Sequence, residues 1–168
     1  MLSLIGAFLV IASGTMIGLL FSNRLIQREK FFLEYISFLT ALQTQMKFSS
    51  APLDRLFDSI QHGELLTKLI ENILFETNNT ITFKDLWIKS ISKIPVEYGL
   101  NAYDRKLLAE FGASLGTTDL EGQLSHITLH IELANLRLIE AKREKENKVK
   151  IYRMLGIFAG ICIALLMV

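Results

Sequence analysis

Apolar positions in this chain fall into two kinds of pattern. From Leu2 to Ser22, and again from Met154 to Val168, they run on without a single charge. Between these runs they recur at alternating spacings of three and four. One seam reads Leu25, Arg28, Phe32, Tyr35, Leu39, Leu42 and Met46, and another reads Leu120, Leu124, Ile127, Ile131, Ala134, Leu138 and Ala141. That spacing gives one apolar face per helix, not the alternation of a strand. No proline falls between Leu2 and Ala51 or between Asp119 and Val168, so each seam is predicted to continue directly into its neighbouring uncharged run.

Shorter elements are expected between the seams. Pro52 suits the first turn of a helix carrying Leu53, Leu56, Phe57 and Ile60, with Gly63 as its stop. A third helix follows through Leu66, Leu69, Ile70, Ile73 and Leu74. Thr82 with Asp85 suggests a cap for a fourth, which Pro95 and Gly99 close. A fifth is predicted from Ala102 to Leu115 with Gly116 behind it, and Thr118 with Glu121 gives a capping box for the sixth. The predicted fold is all-α, a six-helix bundle whose first and last helices run into the uncharged ends, with the four short helices covering the far end of that stalk.

The uncharged ends have membrane dimensions. Leu2 to Ser22 would reach about 31 Å as a helix, against a hydrocarbon core of about 30 Å. The second run is shorter, and Ile151 and Tyr152 extend it while Arg153 snorkels from its end. Residues 1–22 and 154–168 are therefore read as spans and 23–153 as a helical-bundle domain. Arg24, Arg28, Lys30, Lys142, Arg143, Lys145, Lys148, Lys150 and Arg153 are half of the 18 basic residues, and all lie just inward of the spans. Cytoplasmic flanks carry such an excess, which puts the central domain in the cytoplasm and both termini across the membrane. Each span holds one Gly-x-x-x-Gly, Gly14 with Gly18 and Gly156 with Gly160. Gly18 and Gly160 lie about 6 and about 9 Å from their cytoplasmic ends, so an antiparallel pair packed through these glycines is expected, with Gly18 near Gly160.

Composition narrows the chemistry. At 168 residues the length fits one domain, and a net charge of +1 argues against nucleic acid as a partner. The lone cysteine, Cys162, excludes an internal disulfide and a thiolate-based zinc site. His126 and His130 are one turn apart, but the glutamate that would follow the first in a zinc-protease helix is Ile127, and Glu121 and Glu132 fit a solvated surface. Phosphate-binding glycine loops and the G-x-S-x-G nucleophile turn are lacking in the sequence. No catalytic, metal or cofactor residues are assigned, and no enzyme is expected. The mixed-sign run from Lys142 to Lys150 is either a helix face laced by i,i+4 pairs or an attraction to anionic headgroups, and both can hold.

The stretches LIGAFLVIASGTMIG, ALQTQMKFSSAPLDRLFDSI, LLAEFGASLGTTDLEGQLSHI and KVKIYRMLGIFAGICIALLMV resemble the stage III sporulation protein AB family of endospore-forming bacteria over nearly the whole chain. Ala51-Pro52-Leu53, the block from Phe111 to Gly116 followed by Asp119 and Gln123, and Tyr152-Arg153-Met154-Leu155-Gly156 carry the likeness most specifically. The resemblance implies a non-catalytic scaffold in the mother-cell membrane around the forespore, part of the secretion-like channel between the two cells. It also implies a domain similar to the cytoplasmic domains of the inner-membrane platform protein of type II secretion and type IV pili. Its expected partners are a stage III sporulation protein AA-type ATPase, the other stage III A channel proteins and membrane lipid, with homo-oligomers also possible. Contacts concentrate on end-of-bundle turns, so Pro52, Gly116, Asp119 and Gln123 are the candidate partner-binding residues. The membrane-flanking basic candidates are Arg24, Arg28, Lys148, Lys150 and Arg153. The residues themselves leave open a generic membrane-tethered adaptor or coiled-coil dimer in which the two seams pair between chains.

Overall fold

The computed structural model describes residues 2–48, 55–57, 60, 63–75 and 83–167. Its long helices are α1 (Leu2–Phe48, 47 residues) and α5 (Leu120–Met167, 48 residues), each about 70 Å at 1.5 Å per residue. Between them lie α2 (Glu64–Phe75), α3 (Phe83–Ser92), a 3₁₀ turn (Val96–Tyr98) and α4 (Ala102–Ser114), with a short helical piece at 55–57. The fold is all-α, and no strand occurs among the described residues.

The two predicted seams meet each other within one chain. Arg28, Phe32, Tyr35, Leu39, Leu42 and Met46 are buried on α1, as are Ile127, Ala134, Leu138 and Ala141 on α5. Leu25, Leu124 and Ile131 are half-buried, and Leu120 is exposed because it opens the helix. The helices run antiparallel along their whole length. Gln43 Nε2 donates to Thr128 Oγ1 at 2.6 Å near the far end, and Arg153 Nε donates to Ser22 Oγ at 2.9 Å near the apolar end.

The core is rich in aromatic rings. Phe38 meets Phe57 at 5.3 Å between centroids, Phe57 meets Trp87 at 6.0 Å, Trp87 meets Phe111 at 5.4 Å and Phe111 meets Tyr35 at 6.1 Å. This chain of rings joins α1, α3 and α4, and edge-to-face pairs of this kind add to simple area burial. Trp87 is oriented by its indole N–H, which donates to Leu108 O at 2.7 Å. Gly112 lies against the Trp87 ring, in the place where a side chain would stand.

Local details depart from the sequence expectations in two places, and a third feature adds to them. The α5 cap is Asp119, whose Oδ1 accepts from Gly122 N at 3.1 Å, and not Thr118. Asp119 directly precedes the first helical residue, where a short carboxylate reaches the free N–H groups. Gly63 precedes α2, and its missing side chain makes room for Glu34 of α1, whose Oε2 accepts from Leu65 N at 3.0 Å and Leu66 N at 3.3 Å. The cap of α2 thus comes from another helix, which no local pattern reveals. The expected start of the second helix at Pro52 and the Thr82 cap lie outside the described residues.

The second departure concerns placement. The α3–α4 hairpin does not stay at the far end of the stalk, because its turn climbs to the edge of the apolar run. Gly99, at φ +67°, fits against the carbonyl of Arg24, and a side chain there would strike that backbone. Asn101 and Asp104 form a reciprocal capping box that starts α4 beside Arg28. Arg105 donates to Ile91 O and Ile94 O, closing the end of α3.

Gly112→Ala pushes a methyl group into the Trp87 ring. Overpacking of this kind costs about 1–3 kcal/mol, and better helix propensity returns about 1 kcal/mol at most. Because Trp87 is the sole tryptophan, its fluorescence during chemical denaturation in detergent micelles should show a lowered midpoint. A midpoint equal to or above that of the parent would contradict this packing.

Candidate functional site

The apolar ends of α1 and α5 are each long and apolar enough to cross a membrane, and they pair through their glycines. A Cβ at Gly14 would stand 2.8 Å from Gly156 O and 3.1 Å from Gly160 Cα; one at Gly18 would stand 2.6 Å from Tyr152 O and 3.1 Å from Gly156 Cα. The register differs from the expected one by about a helical turn. Gly18 faces Gly156, while Gly160 faces Ile11. Depth counted from the ends of the uncharged runs placed Gly18 and Gly160 together, but with Arg153 paired to Ser22 and Gly156 against Gly18, α5 is displaced away from its partner's basic end. Close approach of backbones through small residues is the usual substitute for hydrophobic driving force inside lipid.

Below this contact the charges of both helices converge. Arg28 stands in the α1 seam with 2% of its side chain exposed, and Asp104 of α4 is fully buried. The guanidinium donates from Nε to Asp104 Oδ2 at 2.7 Å and from Nη2 to Oδ1 at 3.0 Å, a two-pronged match. Nη1 reaches Glu144 Oε2 at 2.5 Å, and Glu140 lies 3.5 Å from Nη2, both on α5. One side chain therefore ties three helices together. Burial pulls the guanidinium pKa down, but the Asp104 hydrogen bonds and the three carboxylates outweigh it and leave it raised.

The basic flank predicted from sequence is partly spent on these contacts. Lys148 pairs with Glu144 at 2.6 Å, and Lys145 pairs with Glu29 at 2.5 Å across the two helices. The Lys148 hydrogen bond, against a burial effect of opposite sign and with help from Arg28, holds the Glu144 carboxyl below its ordinary value. Arg24 lies over the Phe21 ring at 5.3 Å, and Arg153 serves Ser22, while Lys150 is exposed. Sequence reasoning assigned Arg28 to the basic flank and missed Asp104, Glu140 and Glu144 as its partners. The available signal was Arg28 itself, the one charge in an otherwise apolar seam.

At the opposite end, Gly116, Asp119 and Gln123 share one turn. Gly116 has φ +79°, which suits the reversal after α4. Asp119 caps α5, and Gln123 Nε2 donates to Thr118 O at 2.8 Å. Both side chains thus work locally, although Gln123 Oε1 is left without a partner among the described residues. Pro52 lies outside the described residues. His130 is buried with its ring 5.3 Å from that of Phe111, and desolvation lowers its pKa. Among the described residues no three histidine, cysteine or acidic side chains are grouped to hold a metal ion.

Arg28→Met strands the Asp104 carboxylate in the core, and breaking a buried pair in this way costs about 3–5 kcal/mol. Arg28→Met with Asp104→Asn should recover part of that loss in detergent-solubilised protein. Equal stability of the single variant and the parent would remove Arg28 from its central place. For the span contact, cysteines at Phe21 and Tyr152, whose rings lie 5.9 Å apart, should be joined within one chain by a short bis-maleimide in a Cys162→Ala background. Gly156→Ile should cut that yield several-fold, and an undiminished yield would argue against backbone contact at the glycines.

No solved structure matches this chain. A curated relative, stage III sporulation protein AB of Bacillus subtilis (strain 168), is 22% identical over 172 residues, covering 99% of each chain. The family model described as stage III sporulation protein AB matches residues 3–168. With that match extending over both apolar ends and everything between them, the chain belongs to the stage III sporulation protein AB family, and its role is in sporulation.

Proposed function

We propose that this protein is a non-catalytic scaffold of the channel complex between mother cell and forespore. It sits in the mother-cell membrane with two spans, keeps the bundle in the cytoplasm and couples a stage III sporulation protein AA-type ATPase to the other stage III A channel proteins. The observation that supports this best is continuity. α1 and α5 run unbroken from the far turn into the apolar ends, and Arg28 fastens them to α4 just below the glycine contact. A pair of helices locked in this way resists bending and sliding, so a push or twist at the far turn reaches the bilayer with little loss. Nine basic residues inward of the apolar runs support the cytoplasmic placement of the bundle.

The far turn is the proposed ATPase contact because it is the exposed end opposite the membrane. Full-length protein in detergent micelles should retain the ATPase in a saturable pull-down, and Asp119→Ala and Gln123→Ala should each weaken retention several-fold. Thermal unfolding of the same variants separates loss of contact from loss of the α5 cap, which is worth about 1 kcal/mol. Absence of retention at any concentration would favour a platform that touches only membrane partners.

A further inference from the structure

The turn between α3 and α4 is pinned by buried contacts. α3 climbs from Phe83, whose ring is 5.3 Å from Phe57, and α4 descends from Asp104 at Arg28 to Phe111 at Tyr35. The tip of this hairpin is therefore the part of the short-helix layer nearest the apolar ends. Tyr98 and Leu100 are buried, with the Tyr98 ring 6.2 Å from Phe31, so both anchor the tip on α1. Gly99 fixes the depth, because it abuts the Arg24 carbonyl.

That depth can be converted into a position relative to lipid. Arg24 follows Ser22, the last residue of the uncharged run, by two positions, or about 3 Å along the helix. The polar layer of each leaflet is about 5–7 Å thick. Gly99 thus falls inside the headgroup layer, and the turn that it closes exposes two apolar residues, Pro95 and Val96, beside Glu97. We propose that the Pro95–Gly99 turn is a third membrane contact, an interfacial foot whose occupant is the headgroup layer of the bilayer that the two spans cross. The inference rests on the two-span reading. A foot to one side of the paired spans fixes the tilt of the bundle against the bilayer plane, which two antiparallel helices side by side cannot do by themselves.

The test uses the full chain with Cys162→Ala, reconstituted in vesicles of phosphatidylethanolamine and phosphatidylglycerol. A nitroxide is placed by Val96→Cys, by Leu136→Cys or by Ile17→Cys. Val96 and Leu136 are equally exposed, at 62%, so they differ in depth and not in accessibility to the label. The ratio of collisions with molecular oxygen to collisions with an aqueous nickel chelate rises with depth in lipid. At Val96 it should exceed the Leu136 value several-fold and stay below the Ile17 value. A Val96 ratio equal to that at Leu136, with a high ratio at Ile17, overturns the foot and leaves the spans intact. A Val96 label shielded from both collision partners means that protein covers the turn, which also overturns the proposal. A low ratio at Ile17 removes the spans from the bilayer, and the foot falls with them.

Discussion

A charge buried among apolar side chains has to be answered by charges, and Arg28 imposes that requirement on the whole molecule. Its fork is matched by Asp104, which also closes the first turn of α4 through Asn101, so one carboxylate serves a helix cap and an ion pair together. Glu144 completes the set from α5 while leaning on Lys148. The desolvation cost of such a cluster is high, and hydrophobic replacements of similar shape are often as stable. What the cluster provides is register. α1, α4 and α5 can slide against one another along smooth apolar seams, but a two-pronged hydrogen bond tolerates no shift of a helical turn.

Much of the architecture was legible from spacing. Six of the seven α1 seam positions are buried, including the charged one, because a 3-4 alternation over seven contacts can arise only from one face of a helix. The two proline-free stretches did become single helices, since nothing in them interrupts the backbone hydrogen-bond ladder. Other features were invisible for a physical reason. Glu34 capping α2, Asp104 answering Arg28 and Gly112 making room for Trp87 each join residues far apart in the chain, so no local pattern encodes them. The glycine register was misjudged for the same reason. Counting residues from a hydropathy boundary takes no account of the Arg153–Ser22 hydrogen bond that sets the offset.

The candidate site divides along the same line. Gly14, Gly18, Gly156 and Gly160 could be picked out because small residues one turn apart on an apolar helix have few other uses, and the structure brings them together. The far turn was harder. Gly116, Asp119 and Gln123 do meet at one turn, yet the hydrogen bonds of Asp119 and Gln123 run within that turn, so sequence alone could not separate a capping role from a contact role.

The order of the helices along the chain has a kinetic consequence. α1 and α5 are the first and last elements, so their contacts span nearly the greatest sequence separation available, and contacts of that kind form late and slowly. During synthesis α1 emerges first and has only α2, α3 and α4 to cover its aromatic seam until α5 is complete. Asp104 precedes Glu144 in the chain, so the two-pronged partner of Arg28 is made before the α5 carboxylates. α5 alone carries the partners that complete the seam, the ion cluster and the glycine contact, so all three wait on the same helix.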